Sequence, residues 1–132
     1  MLLILINQKY TFCMKKGGTN INMSNDNEIL QICYLKRRMG GPWIVVAKDI
    51  VKRWAIVAAD WDNSPCLAIR WFWSTLGTPV SNKYPIWFII PDDLAAIVIN
   101  GLQLNPISER LIEDFLTHKI CGMELKTKYM SK

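Results

Sequence analysis

The stretch "WAIVAADWDNSPCLAIRWFW", residues 54–73, decides the fold, because it contains two strand-forming segments joined by a turn. Both flanks, "WAIVAAD" and "CLAIRWFW", are dense in the β-branched and aromatic residues that strands favour. The intervening "WDNSP" is rich in the residue types of tight connections. We therefore predict a β-hairpin with a five-residue turn. In that register Asp60 pairs with Cys66, Ile56 lies opposite Arg70, and Trp54 lies opposite Phe72.

Two further segments extend this hairpin into a sheet. "WIVVAK", residues 43–48, predicts a first strand, and "IWFII", residues 86–90, predicts a fourth. Residues 74–85, "STLGTPVSNKYP", form a long loop between the third and fourth strands. Because long loops often carry function, four of its polar residues are candidates for lining a binding site. These are Ser81, Asn82, Lys83 and Tyr84.

Two helices are predicted after the strands. Pro91-Asp92-Asp93 and Asn105-Pro106 are typical helix starts, since proline fits the first turn and carboxylates favour its positive end. The expected buried side chains are Leu94, Ile97, Val98 and Leu102 in the first helix and Ile107, Leu111, Ile112 and Phe115 in the second. The fold class is therefore α+β, with a four-stranded antiparallel sheet followed by two C-terminal helices packed on one face.

Alternation along the strands sorts the remaining side chains onto a second sheet face. In the predicted register this face carries Trp43, Trp54, Ile56, Asp60, Arg70 and Phe72. Two helices of about 20 Å cover one sheet face of roughly 400 Å², not two. An uncovered apolar face of that size is at the upper end of what a monomer exposes. We expect a second copy of the chain to cover it; the N-terminal segment and a ligand are the alternatives.

Arg70 is the residue that discriminates between these alternatives. A mid-strand arginine cannot be buried alone without a large cost, so it must meet an acid, a ring, solvent or an anion. The simplest interpretation packs its stem on Trp54 and leaves its head in water. A sharper hypothesis is that it fixes an acidic group of a partner chain or a small anionic ligand.

The chain of 132 residues suits one domain. We expect an α+β domain over residues 43–122, a polar lead-in over 23–42 and a basic tail over 123–132. Residues 1–22 contain no acidic residue and resemble a translated A/T-rich leader, because "KKGG" can be encoded by a ribosome-binding sequence ahead of Met23. Translation from Met23 is therefore expected, with a flexible arm as the alternative. Without the three lysines of residues 1–22, 13 basic and 11 acidic residues remain, so the net charge falls from +5 to +2.

Several function classes find little support. The four cysteines are widely spaced, which favours reduced thiols in a cytoplasm, and no apolar run reaches the roughly 18 residues of a membrane helix. The sequence has no metal-binding, phosphate-binding or serine-nucleophile motif, and the single histidine, His118, fits a helix-end cation. We therefore expect no cofactor, no metal and no enzymatic activity. Nucleic-acid binding is unlikely on charge, since the second face offers rings but only Arg70 as a cation.

The stretches "GGPWIVVAKDIVKRWAIVAADWD", "RWFW" and "PIWFIIPDDL" resemble short hypothetical proteins of mobile integron gene cassettes, over residues 40–117. The resemblance implies a bacterial cytoplasmic protein and assigns no functional residue. The function expected is that of a small non-enzymatic interaction protein that self-associates through the second sheet face, with a host protein as another partner. Binding of a small anion by the Arg70 face and the 74–85 loop is the first alternative, and single-stranded nucleic-acid binding the second.

Overall fold

The computed structural model describes residues 21–33, 36–74, 77–81 and 84–132. In chain order its elements are α1 (Asp26–Leu30), β1 (Met39–Asp49), β2 (Trp54–Trp61), β3 (Ser64–Trp71), β4 (Val80–Ser81), β5 (Tyr84–Pro85), β6 (Phe88–Ile90), α2 (Asp92–Leu102), α3 (Pro106–Leu116) and α4 (Gly122–Met130). Four strands form one antiparallel sheet in the order β1-β2-β3-β6, while β4 and β5 pair as a separate short ribbon. The predicted α+β class, with C-terminal helices on a four-stranded antiparallel sheet, is confirmed.

The turn between β2 and β3 is shorter than predicted. Trp61 pairs with Ser64, so the connection has two residues, Asp62 and Asn63. Both have positive φ, 48° and 66°, as a type I′ turn requires, and its twist matches that of the flanking strands. The predicted five-residue turn with Asp60 opposite Cys66 is wrong by one residue, since Asp60 pairs with Pro65.

This one-residue difference changes which side chains share a face of the sheet. Arg70 lies opposite Ala55 and not Ile56, and Trp54 lies opposite Trp71. Because neighbours alternate between faces, every side chain of β3 moves to the other side relative to β2. The helix face carries Ile44, Val46, Ile56, Ala58 and Leu67, and the N-terminal face carries Val45, Ala55, Val57, Ala59, Cys66 and Ala68.

Three C-terminal helices, not two, cover the helix face. Helix α4 packs against β1 and β2, α3 against β3 and α4, and α2 against β3. Gly122, at the predicted end of the α+β domain, begins α4. The predicted basic tail forms most of α4, and its Leu125 is fully buried. Its lysines therefore lie on a packed helix.

The buried sides of α2 and α3 differ from the predicted ones. Helix α2 buries Ala95 and Ile99, packs Val98 and Leu102 partly against the same cluster as predicted, and exposes Leu94 and Ile97. Only the side of the helix that faces the sheet is buried, so the apolar residues on another side remain exposed. Helix α3 buries Ile112 and Phe115 as predicted, but it exposes Ile107.

The N-terminal face is covered by residues 21–33 of the same chain. Helix α1 begins after Asn25, whose side chain accepts a hydrogen bond from Asn27 N, and Ile29 on its inner side is fully buried. Lys48 of β1 donates to Asp26 at 2.6 Å and so ties the helix to the sheet. The apolar residues that close the face are Ile21, Met23, Ile29, Ile32 and Cys33.

This cover removes the uncovered face that was predicted from the sequence. A hydrogen bond of 3.0 Å from Trp87 Nε1 to Ile32 O fixes the far end of the segment near the fourth strand. Much of the predicted polar lead-in, residues 23–42, is therefore part of the hydrophobic core of the domain. The predicted leader, residues 1–22, lies outside the described residues except for its last two. Within the described residues, no helix is long and apolar enough to cross a bilayer.

Candidate functional site

The six residues predicted to form one interaction face lie on two faces. Trp43, Trp54 and Ile56 pack with the helix face, whereas Phe72 is buried in the N-terminal face. Asp60 accepts a hydrogen bond of 2.9 Å from Trp43 Nε1, which places it with the helix face as well. Arg70 lies on the N-terminal side, with its guanidinium 5.2 Å from the centre of the Phe72 ring. The predicted set therefore does not form a single site.

Arg70 holds the neighbouring ribbon in place. Only 3% of the residue is exposed, and its Nη1 donates to Pro79 O at 2.5 Å and Ile86 O at 2.8 Å. These two carbonyls flank the ribbon of β4 and β5, so one guanidinium joins both of its ends. Burial lowers the pKa of Arg70 to about 10, so the side chain is still charged at neutral pH. The expected head in water is wrong, and stacking on a ring is confirmed, with Phe72 and not Trp54 as the ring.

Arg53 is a second arginine at the same place, and the sequence reasoning missed it. Its Nε donates to Phe72 O at 2.6 Å, and its φ of 60° turns the chain into β2. Arg53 Nη2 and Arg70 Nε are both buried without a hydrogen-bond partner, and none of the ion pairs found among the described residues involves either arginine. Arg53 therefore contacts the backbone of Phe72 and Arg70 its ring, and neither guanidinium is paired with a carboxylate among the described residues.

The predicted loop candidates are only partly described. Ser81 and Tyr84 pair across the β4–β5 ribbon, and Tyr84 is half-buried. Asn82 and Lys83 lie outside the described residues. The described part of the loop forms the β4–β5 ribbon, and the carbonyls on either side of this ribbon bind Arg70. Ser81 and Tyr84, which were expected to bind a ligand, therefore have a structural role in the ribbon.

Trp43 and Gly122 form a close contact on the helix face. Gly122 begins α4 directly against the indole of Trp43, and a Cβ at this position would overlap the ring. The indole N–H is satisfied by Asp60. This contact determines how α4 packs on β1. Trp43 and Asp60, both predicted to lie on a binding face, therefore have a structural role here.

An aromatic row lies at the end of the helix face. Trp54 pairs with Trp71 across β2 and β3, and the Trp71 ring stacks on Phe88 with centroids 5.3 Å apart and planes 12° apart. Phe88 belongs to β6, the last strand of the sheet, and is 43% exposed. Helix α2 follows β6 directly and adds exposed apolar positions. We call Phe88, Leu94, Ile97 and Gly101 the edge patch.

The edge patch has the properties of a contact surface. Leu94 is 49% exposed and Ile97 66%, and a Cβ on Gly101 would meet no atom within 4 Å. Residues 84–102 contain two acidic residues, Asp92 and Asp93, and no lysine or arginine. The sequence analysis missed this patch because it assigned Leu94 and Ile97 to the core. The available signal was the second apolar side of α2, formed by residues 94, 97 and 101.

Catalytic chemistry finds no support in the described residues. They contain no group of three or more metal-ligating side chains. Burial, followed by the nearby Asp60 and Asp92, raises the pKa of Cys66 to about 12, so its thiol stays protonated and is a poor nucleophile. Lys132 Nζ contacts Ser108 Oγ, a pairing found in some hydrolases, but Ser108 is only 2% exposed. A substrate carbonyl could not reach that hydroxyl.

Comparison with known proteins adds no relative: no family model, no curated protein and no solved structure matches the chain. The two candidate sites therefore rest on this structure alone. One is the exposed edge patch, and the other is the pair of arginines, Arg53 and Arg70, that contact Phe72.

Proposed function

We propose that this chain is a small non-enzymatic interaction protein of the cytoplasm that self-associates, and that it does so through the edge patch and not through the N-terminal face. The observation that carries the proposal is the exposure of large apolar side chains on the last strand and on the helix that follows it, at Phe88, Leu94 and Ile97. The N-terminal face, by contrast, is buried under residues 21–33. Buried thiols at Cys33 and Cys66 are in keeping with a reducing compartment.

The expected association is weak. Fully burying a side chain of this size contributes about 1.5–3 kcal/mol, so completing the burial of three half-exposed side chains on each of two copies supplies about 5–9 kcal/mol. Association itself costs roughly 4–15 kcal/mol in lost freedom of motion. The surplus is at most about 5 kcal/mol, so these side chains alone give a dissociation constant no tighter than roughly 0.2 mM.

The patch favours a protein over a nucleic acid as its partner. Single-stranded nucleic acids bind where exposed rings are combined with converging basic side chains. The ring of Phe88 is available, but the stretch from Tyr84 to Leu102 has a net charge of −2, from Asp92 and Asp93. A phosphate backbone would therefore be repelled from the surface that offers the ring.

Sedimentation of the full chain tests the proposal. The mass of the wild type is expected to rise from 15.2 kDa toward twice that value as its concentration increases. Ile97→Glu places a charge in the edge patch and should keep the protein monomeric. Val51→Glu is the matched control, because Val51 is 90% exposed in the turn between β1 and β2. The Val51→Glu protein should associate like the wild type. A wild type that remains at 15.2 kDa up to about 1 mM contradicts the proposal.

A second candidate function, binding of a small anion, rests on the two arginines at Phe72. Arg53 Nη2 and Arg70 Nε have no hydrogen-bond partner and are buried, so a phosphate or carboxylate that pairs with them would be enclosed by the protein and not held at its surface. If so, thermal unfolding of the wild type should shift upward with inorganic phosphate or acetate, and Arg53→Gln should abolish the shift. Chloride at equal ionic strength is the control. An equal response to all salts, or one that survives Arg53→Gln, counts against this candidate.

A further inference from the structure

We propose that two copies of the chain associate by antiparallel packing of their α2 helices about a two-fold axis near Ile97. This inference rests on the proposed function, since it names the partner and the contact made by the edge patch. The partner is a second copy of the chain, and its α2 supplies the same residues in reverse order.

The first observation is a continuous apolar stripe along α2. Leu94, Ile97 and Gly101 are separated by three and then four residues, the spacing that brings side chains onto one side of a helix. The stripe is distinct from the side that packs on the core, where Ala95 and Ile99 are buried and Val98 and Leu102 are partly buried. Alternating steps of three and four residues also form the seam between paired helices. Helix α2 therefore has one side for its own core and another for a second helix.

The second observation is the complementarity between the two ends of the stripe. In an antiparallel pair centred near Ile97, Leu94 of one copy lies opposite Gly101 of the other. Gly101 has open space where a side chain would be, so it leaves room for the leucine. A small residue opposite a large one lets paired helices interlock and approach closely. The two-fold axis produces the Leu94–Gly101 contact twice, once at each end of the helix pair.

The third observation is the charge at the start of α2, which sets the direction of the pair. Asp92 and Asp93 are exposed in its first turn. A parallel pair would bring four carboxylates together, whereas an antiparallel pair places them about 16 Å apart, at opposite ends of the helices. That distance exceeds the screening length of about 8 Å at physiological salt. Opposed helix dipoles favour the same direction.

Two substitutions of equal size on α2 test the contact. Gly101→Leu fills the space that Leu94 of the second copy needs. Overpacking of this kind should raise the dissociation constant at least about tenfold. Ala96→Leu adds a larger apolar side chain to an exposed position outside the stripe and should leave the constant unchanged. Both variants should keep the wild-type circular dichroism, since neither site is buried.

Cross-linking tests the direction of the pair, in a chain carrying Cys13→Ser and Cys121→Ser. Ile97→Cys should be joined between copies by a short bis-maleimide reagent, because it lies near the axis, and Asp93→Cys should not. Efficient cross-linking of Asp93→Cys, or a Gly101→Leu protein that dimerises like the wild type, would overturn the antiparallel α2 pair. In either case a dimer that is still broken by Ile97→Glu would leave the proposed function standing, whereas a monomeric wild type would remove both.

Discussion

Ile29→Ala is expected to lower the free energy of unfolding by about 3 kcal/mol, because it removes a fully buried side chain from the cover of the N-terminal face. Ile29 belongs to a helix of five residues, which is too short to be stable by itself. Helix α1 therefore depends on this contact and on the ion pair between Asp26 and Lys48. Urea denaturation followed by tryptophan fluorescence measures the loss.

The control for Ile29→Ala is Ile107→Ala, which removes the same atoms from a position that is 65% exposed. It should change the stability by less than about 0.5 kcal/mol. The loss at Ile29 should also be independent of protein concentration, since the cover belongs to the same chain. A small effect at Ile29, or one that appears only where the protein associates, would mean that residues 21–33 do not close this face.

Gly122→Ala is expected to cost about 2 kcal/mol through overpacking against Trp43. The new Cβ would overlap the indole ring, so either the ring or the start of α4 must move. Moving the ring strains the hydrogen bond from Trp43 Nε1 to Asp60. Moving α4 also moves its own Leu125, which is fully buried.

Gly101→Ala is the matched control for Gly122→Ala, measured at concentrations where the protein is monomeric. Gly101 lies inside α2 with open space around its Cβ position, so alanine should stabilise the helix by about 0.5–1 kcal/mol. The two glycine substitutions are therefore expected to have opposite signs. Equal effects would show that the contact between Trp43 and Gly122 does not position α4.

Much of the architecture could be predicted from local sequence patterns. The β-branched runs correctly predicted β2 and β3, and Pro91 and Asn105 correctly marked the starts of α2 and α3. These signals are local, since strand propensity and helix capping depend on a few adjacent residues. The assignment of residues to sheet faces was also correct within β2 and β3, because alternation needs no knowledge of the partner strand. It was wrong for Trp43 in β1, which packs on the same face as Ile44 because the pairing of β1 with β2 is irregular between Gly40 and Ile44.

The register of the hairpin could not be predicted in the same way. Asp62-Asn63 is less typical of a type I′ turn than Asn-Gly, and Pro65 resembled a turn residue although it lies within β3. The predicted register of β3 against β2 was therefore shifted by one residue. This shift placed Arg70 opposite Ile56, on the same face as Trp54, whereas Arg70 pairs with Ala55. The alternation had been applied correctly to a wrong pairing.

The cover of the N-terminal face and the edge patch depend on tertiary contacts. Residues 21–33 contain seven polar and six apolar residues, so their composition did not decide between a segment that packs on the sheet and a polar lead-in. In α2 two sides are apolar, and only the packing of the helix against the sheet decides which of them is buried. Sequence patterns therefore located the candidate elements but not the exposed surface.

Hydrogen exchange followed by mass spectrometry, at protein concentrations well below and well above the dissociation constant, tests the central claim most directly: the chain closes both faces of its own sheet and associates through the edge patch. Peptides covering residues 21–33 and 66–72 should be equally protected at both concentrations. Peptides covering residues 88–102 should gain protection at the higher concentration. Protection of residues 21–33 or 66–72 that rises with concentration, while residues 88–102 stay unchanged, would contradict the account.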